Sequence, residues 1–112
     1  MSAPKLTRRM VLETHVRDDD GAGGFVDHWL ELGTLWAEVR PGAGRESEGP
    51  GIPMGRVLYR IVVPAAQVGS LARPRPDQRL REGARVFQIL AVSEHDARGA
   101  YLVCICEEEE PA

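Results

Sequence analysis

Apolar residues recur at every second position through most of this chain, in short runs punctuated by glycine, proline and aspartate. Such a pattern buries one side of an extended strand and leaves the other wet, and it offers a helix no continuous apolar stripe. Met10, Leu12 and Val16 alternate with Glu13, His15 and Arg17, which predicts a first strand over 8–16. Asp18-Asp19-Asp20-Gly21-Ala22-Gly23-Gly24 follows, and its Asp-Gly and Gly-Gly pairs suit the positive φ of a hairpin turn. Two further strands are expected over 25–32 and 35–40, with Gly33 at the bend between them. The inward set of the latter is either Leu35, Ala37 and Val39 or the face of Trp36, and alternation leaves both open.

The second half repeats the pattern. Residues 56–63 read as a strand with Val57, Tyr59, Ile61 and Val63 on one face, stopped by Pro64. A short edge strand is expected over 78–81, and two more over 86–92 and 100–107, the last pair joined by a turn from His95 to Gly99. Only 65–71 has room for a helical turn. The expected fold is all-β, a small antiparallel β-barrel or sandwich of about six strands. It forms a single domain over 1–112, with a folded core at 8–107 and an acidic tail at 108–112. Between Pro41 and Gly55 lies a segment too rich in Gly and Pro for helix or strand. So long a loop in so small a domain is usually functional or disordered, and here it is expected to project.

Composition narrows what such a domain can do. At 112 residues with 43% hydrophobic and 5% aromatic content, the core is aliphatic and too small to enclose a large cofactor. No cofactor or metal is expected, and association with other subunits would supply burial that one copy lacks. The formal net charge of −3 provides no overall positive field for nucleic acid. No stretch has the ~20 apolar residues of a membrane span, and the start carries no secretory pattern. A cytosol-like compartment and no membrane partner are expected.

Catalysis needs a nucleophile, a base and a group that orients them. His15, His28 and His95 fall in three separate segments, none beside a Ser or Cys in a recognisable elbow. His28 shares its parity with Val26, Leu30 and Leu32, as a hydrogen-bonded core histidine would. The run Asp18 to Gly21 has its glycine at position four, and Trp29 stands where a calcium loop needs its bidentate Glu. An acidic hairpin turn accounts for it better. Cys104 and Cys106 are two apart in an apolar run, roughly 6.5–7 Å along one strand face, at the outer limit for a disulfide. Buried reduced thiols are expected. The chain reads as a non-enzyme.

Charge is unevenly placed. Arg73, Arg75, Arg79 and Arg81 crowd one segment, while Glu107 to Glu110 close the chain. The arginines suit solvated charge and salt bridges to neighbouring subunits or partners. Contact with DNA phosphates is the alternative, and it would be nonspecific, since arginine without interleaved aromatics reads no bases.

The order of these elements resembles a known family, the phage head–tail joining proteins, also called head-completion, adaptor or stopper proteins. Asp20-Gly21-Ala22-Gly23-Gly24-Phe25 is similar to the family's Gly-rich turn with a following aromatic. Trp29 and Leu35-Trp36-Ala37-Glu38-Val39-Arg40-Pro41 come next, then Gly44-Arg45-Glu46, Tyr59-Arg60-Ile61, Gly83-Ala84-Arg85-Val86-Phe87-Gln88-Ile89, and Tyr101-Leu102 with 104–107. No single piece is specific; their order and spacing are. Relatives often carry a longer segment after Gly44-Arg45-Glu46, where this chain has a short Gly/Pro-rich stretch over 47–54.

The resemblance implies a neck component of a phage-like particle, a gene transfer agent being one plausible home, assembled in the bacterial cytoplasm. It implies a homo-oligomeric ring, commonly a hexamer, with portal or adaptor proteins above and tail or terminator proteins below. Packaged double-stranded DNA would pass through the lumen without sequence preference. In some relatives a loop closes that channel. Its counterpart here would comprise Arg45, Glu46, Ser47, Glu48, Pro50, Ile52 and Pro53, and Arg73, Arg75, Arg79 and Arg81 would face neighbours or partners. The rival reading, from another class, is a freestanding small barrel that binds nucleic acid or a peptide through Trp29, Trp36, Phe25, Phe87, Tyr59 or Tyr101.

Overall fold

The structure, a computed structural model, describes residues 3–41 and 57–110. Its strands are β1 (Arg8–Asp19), β2 (Phe25–Pro41), β3 (Leu58–Pro64), β4 (Arg79–Glu82), β5 (Arg85–Glu94) and β6 (Tyr101–Glu108). All six belong to one antiparallel sheet in the order β1-β2-β3-β6-β5-β4. β1 also pairs with β4, through Val11↔Arg81, Leu12↔Leu80 and Glu13↔Arg79, so the sequence of pairings returns to its start.

Alternation decides what lies inside. Met10, Leu12, Ala37, Ile61, Val63, Leu80, Phe87, Ile89, Leu102, Cys104 and Cys106 form the buried cluster. Tyr59 meets Phe87 edge-on at 5.4 Å between ring centres, a geometry favoured by the aromatic quadrupole. Leu35 and Val39 pack against this core beside buried Ala37, while Trp36 is 52% exposed. The choice left open by alternation falls to the Leu35 face. Both cysteines are free and fully buried, as expected from their place in an apolar run. Burial pushes the Cys104 thiol up to about 12, and the Cys106 thiol up as well, so neither is a nucleophile in the folded chain.

Several expectations are corrected. The strands foreseen over 25–32 and 35–40 are one strand, and the bend at Gly33 is a β-bulge within it rather than a break between two strands. Leu12 pairs with Gly33 and Glu13 with Glu31, which leaves Leu32 as the extra residue. The φ of 156° at Gly33 is one that side-chain-bearing residues rarely adopt, and the bulge bends the ribbon there. The segment foreseen as an edge strand, β4, has neighbours on both sides, because its Leu80 is needed in the core. Residues 65–71 hold turns and no helix.

The acidic end is not all tail. β6 runs to Glu108, whose carboxylate accepts from Arg85 at 2.8 and 3.0 Å, and the Glu109 amide donates to the Val86 carbonyl at 2.8 Å. A matched guanidinium across the sheet offsets the repulsion that a run of like charges would otherwise meet. The projecting loop foreseen at 41–55 lies outside the described residues except for Pro41, which pairs with Tyr59 at the end of β2.

Candidate assembly surfaces

Beyond the bulge the β1–β2 ribbon leaves the sheet. Thr14 to Asp19 pair with Leu30 to Phe25, while β1 meets β4 only at Val11 to Glu13 and β2 meets β3 only from Glu38 onward. The result is a two-stranded arm of six residue pairs, roughly 20 Å long. Its tip is closed by its own aspartates. The Asp20 carboxylate accepts from the amides of Ala22 and Gly24, and Asp19 accepts from that of Gly21. Those backbone bonds hold Asp20 below the usual carboxylate range. This is the acidic hairpin turn expected from the Asp-Gly signal.

An ion cluster fixes the arm's base. Glu13 points outward from β1 yet is 4% exposed, because β4 lays two arginines over it. Arg79 Nε donates to Glu13 Oε1 at 2.6 Å and Arg81 Nε to Oε2 at 3.0 Å. Burial alone would raise the Glu13 pKa, but these two hydrogen bonds outweigh it and the carboxyl titrates below its ordinary value. Arg79 also covers the Trp29 ring at 4.1 Å, and His15 meets that ring edge-on at 5.4 Å. Arg81 reaches Glu31 at 3.6 Å. The cluster therefore ties both strands of the arm to β4.

A second cluster joins β1, β4, β5 and β6. Arg8 Nε donates to Glu82 at 2.9 Å, Arg85 binds Glu108, and the Arg85 guanidinium lies 5.0 Å from the centre of the Phe87 ring. Glu82 is held below the ordinary range by its hydrogen bond from Arg8, and Glu108 by that from Arg85. The same bond to Glu108 raises the Arg85 pKa further.

The four arginines singled out by sequence thus have different surroundings. Arg79 and Arg81 serve Glu13 within the subunit. Arg73 and Arg75 lie in the connection between β3 and β4. Arg73 donates to the Ala66 carbonyl at 2.9 Å, while exposed Arg75 makes no ion pair among the described residues. In the same connection Val68 is 85% exposed and Leu71 73%. Arg45, Glu46, Ser47, Glu48, Pro50, Ile52 and Pro53 lie outside the described residues.

His28 is not a core residue. It sits on the arm, exposed, with Nδ1 3.4 Å from Asp18. Its parity reading was sound for the face it occupies, but among the described residues nothing covers that face beyond the bulge. Sequence reasoning missed the arm as a projecting element. The bulge glycine, followed by no second strand signal long enough to cover both halves of the ribbon, was the available hint. Among the described residues no three His, Cys, Asp or Glu side chains group as a metal site.

A family model described as phage head completion protein matches residues 1–109. Among solved structures, a chain from the virion of a native gene transfer agent particle is 51% identical, over 98% of this chain and 100% of that one, with a TM-score of 0.79. A Shigella flexneri 2a protein solved in solution is 23% identical over 100% of both chains, with a TM-score of 0.73, a likeness of fold alone. No curated protein matches the chain.

Proposed function

The chain belongs to the phage head completion protein family, whose members are structural and non-catalytic, and from that premise we propose that it forms a ring in the neck of a phage-like particle. The observation that carries this reading is the match along nearly the whole chain to a component of a gene transfer agent virion. In the proposed assembly, identical subunits stand between the portal or adaptor above and the tail or terminator below. Their lumen extends the path of packaged double-stranded DNA, and assembly takes place in the cytoplasm of the producing cell.

The circuit of strand pairings supports a closed small barrel as the working unit. A barrel of this kind is stiff, because every strand is paired on both sides along part of its length, and stiffness suits a spacer that must keep its shape while DNA passes. A net charge of −3 supports free sliding, since strong cation–phosphate contacts would each exchange counterions as DNA moves.

The segment 41–55 is proposed as the gate or gasket of the channel, with Arg45, Glu46 and Glu48 as its charged contacts. Its two attachment points, Pro41 and Val57, adjoin the Pro41↔Tyr59 and Leu58↔Glu107 pairs, so both are anchored at one end of the sheet. A loop tethered in this way can change course without disturbing the strands. Deleting Ser47 to Pro53 is expected to leave the subunit folded while particles lose DNA or fail to take tails. Tailed, DNA-tight particles from that deletion would overturn the gate.

A further inference from the structure

The arm presents apolar surface that no other element covers among the described residues. Val26 is 53% exposed and Leu30 49%, on the face that also carries Asp18, while Phe25, 65% exposed, lies on the opposite face under Arg17. The edge of β2 that faces away from β1 has no strand beside it from Phe25 to Ala37 among the described residues. Long free edges carrying apolar side chains are usually blunted or covered, because they invite another chain. Asp18, Asp19, Asp20 and Asp27 make the same arm acidic, with Arg17 engaged by Asp27 at 3.0 Å.

The β3–β4 connection has the same apolar character and the opposite sign. Val68 and Leu71 are its most exposed apolar residues, and Arg73 and Arg75 follow directly. Its course is held from within. The Ser70 amide donates to the Gln67 carbonyl at 3.0 Å, the Arg73 amide to the Ser70 carbonyl at 3.1 Å, the Arg73 guanidinium to the Ala66 carbonyl at 2.9 Å, and the Arg75 amide to Gln78 Oε1 at 2.9 Å. A segment with a fixed backbone and outward apolar and cationic side chains loses little freedom when it is covered.

We propose that the arm of one protomer seats on the β3–β4 connection of the next, with Val26 and Leu30 against Val68 and Leu71 and Asp18, which pairs with Val26 on the same face, facing Arg75. The contact deepens the ring reading and rests on it. A second copy of this chain is the occupant because one sequence carries both halves of the match. Every subunit in a closed ring must present two different, mutually complementary surfaces, and an apolar-acidic arm with an apolar-basic seat meets that need. A portal or tail protein on either surface would leave the other bare.

The test uses assembled particles carrying Val26→Cys together with Leu71→Cys. Both positions are exposed, and the native thiols are buried and slow to react. A short bis-maleimide should give a ladder of covalent multimers, at least tenfold above that from either single variant. Particles that contain several copies of the protein but show no such ladder overturn the contact and leave the ring standing. Dimers from Val26→Cys alone also overturn it, because arms would then meet arms. A single copy per particle, counted by mass spectrometry, overturns the ring and the contact together. An exchange of charge reads the same contact without thiols. Asp18→Arg and Arg75→Asp should each lower incorporation into particles at least fivefold, and the two combined should restore it. Failure to restore overturns the proposal.

Discussion

The near and far halves of the β1–β2 ribbon carry the same alternation, yet Met10 and Leu12 are sealed while Val26 and Leu30 stand about half exposed. The difference lies across from them. On the near side of the bulge, β4 and β3 flank the ribbon and the rest of the sheet lies over its inner face. On the far side neither strand follows. Period-two patterning thus specifies which face of a strand is apolar and says nothing about what covers it. Where the chain's own elements run out, an apolar face becomes a surface for another molecule.

The sharpest break of this comparison comes from the core. Phe87→Ala removes a fully buried ring in contact with Tyr59, and should cost about 3–5 kcal/mol in urea unfolding, much of the whole stability of such a domain. Next comes the tie between the two regions. Glu13→Gln leaves Arg79 and Arg81 without their shared anion and should cost roughly 2–3 kcal/mol. Amide exchange in 14–19 and 25–30 should speed up more than in β5 and β6, and uniform acceleration would mean that the cluster does not serve the arm in particular.

Acidification should act through the same ties with a smaller effect. Glu13, Glu82 and Glu108 all titrate below their ordinary values in the folded chain. The unfolded chain takes up their protons first, so their contribution is complete above about pH 5 and disappears as pH falls through the lower, folded values. The urea midpoint should be level from pH 7 to about 5 and then decline. Glu82→Gln and Glu108→Gln should make that decline shallower, and an unchanged slope would separate these pairs from acid stability. The smallest effect belongs to the arm. Val26→Ser should change unfolding by less than about 0.5 kcal/mol, since the residue is half exposed. A loss comparable to that of Phe87→Ala would show that the arm is covered in the isolated subunit and would end the contrast.

Much of the fold was legible before any coordinates. The Asp20-Gly21 turn, the Pro64 stop, the buried thiols and the final pair of strands all follow from local chemistry: turn dipeptides, a missing amide hydrogen and an apolar run. The candidate surfaces were legible only in part. The arginine segment was visible as charge, but whether an arginine is spent inside the subunit depends on a partner far away in sequence. Arg79 and Arg81 find Glu13 at separations of 66 and 68 residues. Glu108 likewise reads as tail until Arg85 stands opposite it.

By itself the sequence determined that the chain is made of strands, where the Asp-Gly hairpin and the last turn fall, and which family's order of motifs it follows. These depend on neighbours in the chain and on alternation, which are local. Only the tertiary structure decided that Gly33 bends one strand rather than ending it, that β4 is flanked on both sides, and that neither β3 nor β4 follows the outer half of the first ribbon. Each of those outcomes depends on which distant strand arrives alongside, and hydrogen bonding between strands carries no mark in the local pattern.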